Sequence, residues 1–232
     1  YTADPQLVPD ARRIAALSHE EMLEFAAMGA KVMHADAVEW GKRFGVPIDV
    51  RSAFSNARGT RIGGGAAADH AVVHGAALDL DWARITLHGV PDLPGRAAAI
   101  FEGVSRARIN VDMILMNVNQ NGLSDLSYTV LRTDLLQALR NARDIRGRLG
   151  ARSVSSDARI AKLSVVGLGM QSHYGGAARM FRGLADAGIN LQAISTSEIK
   201  IACLVKETCG TRGLRALHRV FGLRKPPPRR RG

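Results

Sequence analysis

The chain has 232 residues, 46% of them hydrophobic and 23% charged, with a formal net charge of +11. That length allows two or three compact units; no apolar run approaches the roughly 20 residues of a membrane-spanning helix, and no basic, apolar and small-residue series opens the chain as a secretory leader would. Five positive charges sit in Arg224, Lys225, Arg229, Arg230 and Arg231 around three prolines, so 224–232 reads as a disordered basic tail. The other basic residues are scattered, with no basic-aromatic platform, which argues against specific nucleic-acid recognition.

Read in chain order, Ser18 followed by Glu21 has capping-box spacing and predicts a helix that stops at Gly29. A second helix is expected over 34–44, closed by Gly45, then a strand over 47–54. Gly63-Gly64-Gly65-Ala66-Ala67-Ala68 reads as a linker. Two helices and a strand are too little for an independent core. Residues 1–60 are therefore expected to be the C-terminal edge of a larger α/β domain whose beginning lies upstream of Tyr1, with 61–82 as linker and leading strand.

The rest of the chain contains one segment twice, 80 residues apart. Pro94-Gly95-Arg96-Ala97-Ala98-Ala99-Ile100-Phe101 aligns without a gap on Tyr174-Gly175-Gly176-Ala177-Ala178-Arg179-Met180-Phe181, and Ile109-Asn110-Val111 meets Ile189-Asn190-Leu191. Each copy begins with a β-branched strand, 84–88 or 162–166. A Gly-containing loop and an amphipathic helix follow, 96–106 or 176–187, with apolar residues at helical spacing. Further strands are expected over 126–131 and 199–205. The first copy continues with a helix over 135–149 and a closing strand at 151–155; the second ends in a helix over 212–221. The pattern is βαββαβ, an antiparallel sheet with two helices on one face, over 83–156 and 157–223.

In such a unit the loop before the first helix exposes backbone N–H groups that suit a carboxylate, although a glycine there also serves as a simple turn. From the residues alone, Asn110 and Asn190 read as turn formers that cap the start of a strand. His173 reads as a loop hydrogen-bonder, and no residues have metal-ligand spacing. Cys203 falls in an apolar alternating strand and Cys209 in a turn-like stretch, which fits core packing in a reducing, cytoplasmic compartment without a disulfide.

These motifs carry a resemblance. Tyr1-Thr2-Ala3-Asp4-Pro5, Gly29-Ala30-Lys31-Val32-Met33-His34, Gly45-Val46-Pro47-Ile48, Pro94-Gly95, Ile109-Asn110-Val111-Asp112-Met113 and Ile194-Ser195-Thr196-Ser197-Glu198-Ile199 occur in the order found in the aspartate kinase family. The likeness covers residues 1 to 223 and is closest in pattern to the bacterial lysine- and threonine-sensitive form. It implies the edge of an amino-acid-kinase α/β domain followed by two ferredoxin-like βαββαβ ACT domains. It also implies phosphorylation of the L-aspartate β-carboxylate by ATP with Mg2+, feedback control by L-lysine and/or L-threonine, and a homodimer or heterotetramer formed through the ACT domains.

Carried over by position, Tyr1, Thr2, Asp4 and Lys31 resemble the nucleotide site; without the surrounding motif, Lys31 reads as a solvated helix lysine. The effector site implied by the family would use Asp92, Pro94, Gly95, Ala97, Asn110, Val111, Asp112, Met113, Ser124 and Ser127 from the first copy. From the second it would use Ser172, His173, Asn190, Leu191, Ser195, Thr196, Ser197 and Glu198. Three departures stand out: Gln6 replaces an arginine, Ala35-Asp36 a Pro-Arg type pair, and Tyr174 a loop proline. The first two remove or invert positive charge near the implied ATP site. The family's Lys-Phe-Gly-Gly signature and aspartate-binding residues are expected upstream of Tyr1, so this chain alone is not expected to catalyse phosphoryl transfer. Two other readings stay open: a non-catalytic amino-acid-binding regulatory subunit, and a dimerising structural element.

Overall fold

A computed structural model describes residues 1–29, 33–63, 73–118, 121–170 and 175–224. The expected Gly/Ala linker beyond Gly63, residues Lys31, Ser172, His173 and Tyr174, and the basic tail beyond Arg224 lie outside the described residues. The chain divides into two compact units, Tyr1–Asp79 with Lys162–Gly232, and Leu80–Ala161.

The first unit opens with β1 (Ala16–Leu17), α1 (His19–Ala27), α2 (Ala35–Arg43), β2 (Ile48–Val50), β3 (Thr60–Ile62) and β4 (Gly75–Asp79). The capping box is present in both halves: the Ser18 hydroxyl accepts from Glu21 N at 3.0 Å, and a Glu21 carboxylate oxygen accepts from Ser18 N at 3.1 Å. Strand β3 lies between β1, parallel to it, and β2, antiparallel. The strand expected over 47–54 is confined to Ile48–Val50 because its partner β3 offers only three residues for pairing.

The unit Leu80–Ala161 contains β5 (Trp82–Pro91), α3 (Arg96–Arg106), β6 (Ile114–Val118), β7 (Leu123–Leu131), α4 (Leu135–Leu149) and β8 (Ser153–Asp157). Its sheet is antiparallel throughout, in the order β6-β7-β5-β8. Alternation sorts the two faces. Ile85, Leu87, Leu126, Tyr128 and Val130 pack against Ile100 and Val104 of α3 and Ala138, Ala142 and Ile145 of α4. The other face is polar: Thr86 meets Ser127 at 2.8 Å, Arg84 meets Asp157 at 3.6 Å, and His88 meets Asp125 at 3.1 Å. A bulge after Leu87 needs the positive φ of Gly89, whose N–H donates to Asp125 at 2.8 Å.

The chain then returns to the first unit with β9 (Ile160–Val166), α5 (Gly176–Asp186), β10 (Ala193–Thr196), β11 (Lys200–Lys206) and α6 (Gly210–Val220). The sheet order is β10-β11-β9-β4. The leading strand ahead of the first copy thus closes the sheet of the second, antiparallel to β9 from Gly75↔Val166 to Asp79↔Lys162. It holds the place that β8 holds in the first copy. The duplication is visible residue by residue, since positions 100–110 and 180–190 have the same sequence of buried, half-buried and exposed residues.

Strand β9 is buried along its whole length, as a strand covered on both faces must be. On one side Leu163 meets α6, where Gly213 lies so close that a Cβ would stand 2.3 Å from the Leu163 side chain. On the other, Val166 joins Leu17, Met22, Phe25, Met28 and Ile62 in a core formed largely by α1 and the small N-terminal sheet. Cys203 is buried within β11, which pushes its thiol up to about 12; it and half-buried Cys209 are free thiols. Among the described residues no helix is long and apolar enough to cross a membrane.

Gly75 of β4 is another close approach: a Cβ there would meet the Phe25 ring at 2.7 Å and the Thr2 carbonyl at 3.1 Å. Gly75→Val is expected to lower the unfolding free energy by about 1–3 kcal/mol, the usual cost of overpacking, read as a lower urea midpoint with an unchanged slope.

Candidate functional site

In the Leu80–Ala161 unit a cleft of about 470 Å³ opens between the end of β5 and the start of α3. Helix α3 begins at Gly95, which has φ 85° and no side-chain cap. Only glycine adopts that left-handed conformation without strain, and the first turn of a helix carries N–H groups with no partner inside the helix. Asp92 is exposed at the rim, and its own N–H donates to Gly122 O at 2.9 Å, tying the loop to the turn before β7. Ser124 is buried at the floor and donates to Val90 O at 3.3 Å.

Of the first-copy residues implied by the resemblance, the cleft brings together Asp92, Pro94, Gly95, Ala97 and Ser124. Ser127 points to the opposite face of β7, three residues on, where it bonds Thr86. Asn110, Val111, Asp112 and Met113 follow the far end of α3 and do not line the cleft; Met113 is buried, its N–H donating to Thr129 Oγ1 at 2.9 Å. Residues not anticipated from sequence, Met116 and Leu126, form the apolar floor. Leu126 lies two residues from Ser124 on one face of β7, a spacing visible in the sequence, and Met116 is its partner across β6 and β7.

In the second copy Gly175 repeats the left-handed start, with φ 96°. Asn190 is exposed and Leu191 half-buried just ahead of β10. Ser195 and Thr196 end β10, and Ser197 and Glu198 form the exposed turn to β11, with Ser197 N donating to Lys200 O at 2.8 Å.

At the N-terminal segment the structure separates the implied nucleotide residues. Tyr1 is 61% exposed, and with Asp4, Gln6, Phe25, Gly29 and Leu78 it lines a cleft of about 330 Å³. Asp4 accepts from Gln6 N at 2.9 Å. Ala35 and Asp36 lie exposed at the start of α2. Thr2 turns the other way and is buried, with three partners. Its single hydroxyl hydrogen goes to Leu223 O at 3.0 Å, so it accepts from Arg12 N at 3.1 Å and from His218 Nε2 at 3.0 Å. That count assigns the imidazole proton to Nε2. Thr2 is thus an anchor between the opening loop and α6, and it supports the residues that line the cleft.

Buried ionisable groups hold this unit together. His218 Nδ1 lies 3.8 Å from Asp10, which also pairs with Arg224 at 3.1 Å. Burial lowers the imidazole pKa from its ordinary value; Asp10 opposes the shift, and Arg224 and Arg12 reinforce it. Burial alone would raise the Glu21 pKa, yet hydrogen bonds from His74, Ser18 and Leu168 outweigh it and hold the carboxyl below its ordinary value.

Two family models match the chain, the amino acid kinase family over residues 1–52 and the ACT domain over residues 163–221. The aspartokinase of Pseudomonas aeruginosa is 42% identical over 229 residues, covering 97% of this chain and 56% of that protein. A chain in the crystal structure of aspartokinase alpha and beta subunits is 46% identical, with a TM-score of 0.62 over 65% of this chain and 99% of that one. Escherichia coli aspartokinase III in complex with aspartate and ADP is 25% identical, with a TM-score of 0.82 over 95% of this chain and 49% of that one. The chain spans about half the length of the curated relatives it matches.

Fold and matches together define the class: the edge of an amino-acid-kinase domain joined to paired ACT domains. Within that class the chain belongs to the aspartate kinase family.

The pKa of His218 is lower in the folded than in the unfolded chain, so its contribution to stability is complete above about pH 6.5 and is lost as pH falls through the folded value. Urea midpoints measured between pH 7.5 and 5 are expected to decline, and His218→Gln, which removes the titrating group, is expected to flatten that part of the profile.

Proposed function

We propose that the chain carries the allosteric part of an aspartate kinase, an enzyme that transfers the γ-phosphoryl group of ATP to the β-carboxylate of L-aspartate, and that L-lysine and/or L-threonine control it through the ACT domains. The observation that carries this reading is the cleft at the start of α3, which a rim carboxylate, Asp92, and the open helix start at Gly95 line together with a small apolar floor. A free α-amino acid supplies the complement. Its ammonium can pair with Asp92, its carboxylate can accept from N–H groups at the helix start, and its aliphatic part can rest on Met116 and Leu126.

In this reading the N-terminal cleft is the edge of the ATP site. Phe25, Ala76 and Leu78 give apolar walls, and Tyr1, Asp4 and Gln6 give polar edges. Magnesium would travel with the phosphates, whose charge it offsets. ADP is a ligand of the E. coli relative. With this chain alone, ADP release in the presence of L-aspartate is expected to remain at background. A regulatory subunit without activity of its own is the second reading, favoured by the coverage of 99% of a chain from the alpha and beta subunit structure. Assembly through the ACT domains as a homodimer, or as a heterotetramer with longer chains, goes with either reading, and light scattering at micromolar concentration tests it. A cytoplasmic location accords with the free thiols.

A thermal-shift titration with L-lysine, L-threonine, both together, and L-methionine as control tests the proposal. A selective, concentration-dependent rise is expected, because a ligand that binds only the folded state stabilises it. Asp92→Asn is expected to weaken the responding amino acid about tenfold or more, the loss of a charge-assisted bond. A folded chain that responds to none of the amino acids would exclude the effector reading.

A further inference from the structure

The second copy's sheet ends in two turns, at 167–170 after β9 and at 197–199 before β11. They are tied to each other, Gly167 N donating to Ile199 O at 3.0 Å. Helix α1, within the segment that matches the amino acid kinase family, reaches both. Glu21 Oε1 accepts from Leu168 N at 3.2 Å and from the His74 imidazole, while Oε2 accepts from Ser18 N. Three residues along the helix, and so on the same side of it, Glu24 Oε2 lies 2.7 Å from Lys200 Nζ, with both groups largely shielded from water.

Capping α1 requires only the bond to Ser18. The contact of Glu21 with Leu168 and that of Glu24 with Lys200 serve no helix-internal need, and both end on backbone or side chains beside the turns that flank α5 and β10. A buried carboxylate is tolerated where its partners are in place, so displacement of Leu168 N would leave Glu21 short of a donor and shift α1. Neutral packing would not respond in that way. The opposite end of α1 leads to Gly29, which lines the N-terminal cleft.

We infer that α1 is the coupling element of this unit, with Glu21 and Glu24 as positioning residues that transmit the arrangement of the second copy's turns to the amino-acid-kinase segment. The inference rests on the reading of the second copy as an ACT domain that takes a free α-amino acid. It assigns the two glutamates a regulatory role with no part in binding either substrate or effector.

Hydrogen exchange on the 232-residue chain, followed by mass spectrometry of peptides covering 18–28, 166–170 and 197–201, tests it. L-Lysine and L-threonine at saturation are the probes, and Glu21→Gln and Lys200→Met the variants. In the unsubstituted chain the bound amino acid is expected to slow exchange in 18–28 by about threefold or more. In each variant that response is expected to shrink while the affinity, measured by calorimetry, changes less than about threefold. Protection of 18–28 that persists at full size in both variants would overturn the inference. If neither amino acid binds, the effector reading itself fails, and the ligand-free comparison decides the coupling: faster exchange at 166–170 in Glu21→Gln sustains it, and unchanged exchange overturns it. Lys200→Met leaves the buried carboxylate intact, so it remains informative should Glu21→Gln unfold.

Discussion

The pairing of β4 with β9 is the constraint on which the larger unit depends. Five residue pairs, from Gly75↔Val166 to Asp79↔Lys162, join strands that are about 85 positions apart in sequence. Without β4 the second copy would have three strands and an unpaired edge along β9, and an open apolar edge invites association. With it, β4 becomes the edge, and that edge is in turn covered, Ala76 N donating to the Thr2 carbonyl at 2.8 Å. The opening loop of the chain is therefore held by backbone bonds to the sheet as well as by side chains.

Burial on both faces of β9 creates a difficulty that the polar residues resolve. The face toward α1 includes Lys162 and Ser164 as well as Val166, and Asp79 lies beside Lys162 in register. Glu21, His74, Thr2 and His218 are also buried, each with named partners. Removing one partner from such a pair commonly costs about 3–5 kcal/mol, because an uncompensated charge or donor stays behind. These contacts select one docking of the N-terminal segment on the sheet, where hydrophobic burial alone would accept several. The specificity comes with a pH dependence, since both Glu21 and His218 have folded-state pKa values below their ordinary ones.

Local structure was legible in the sequence to a high degree. The helices 96–106 and 135–149, the Ser18/Glu21 capping box and the two left-handed glycines follow from short-range rules of spacing and backbone sterics. Non-local pairing was not legible. Nothing within residues 75–79 distinguishes a strand that leads into the first copy from one that closes the second, because the choice is made by a partner far along the chain. The inward turn of Thr2 belongs to the same class, as its reason is His218, 216 residues away. Ser127 is different. An odd spacing from Ser124 on one strand already places the two on opposite faces, so its separation from the cleft could be read from sequence alone.

The two copies keep the same helix-facing core and differ on the other face of the sheet. In the first copy that face bears Arg84, Thr86 and His88, paired with Asp157, Ser127 and Asp125 and partly open to water. The positions 80 residues on from Arg84 and Thr86 are Ser164 and Val166, and both are buried beneath the N-terminal segment. A duplicated fold has thus been put to two uses through substitutions on one face. Within the larger unit, a shift in the second copy's turns meets Glu21 and Glu24 directly, whereas the first copy's polar face is satisfied by partners within its own sheet.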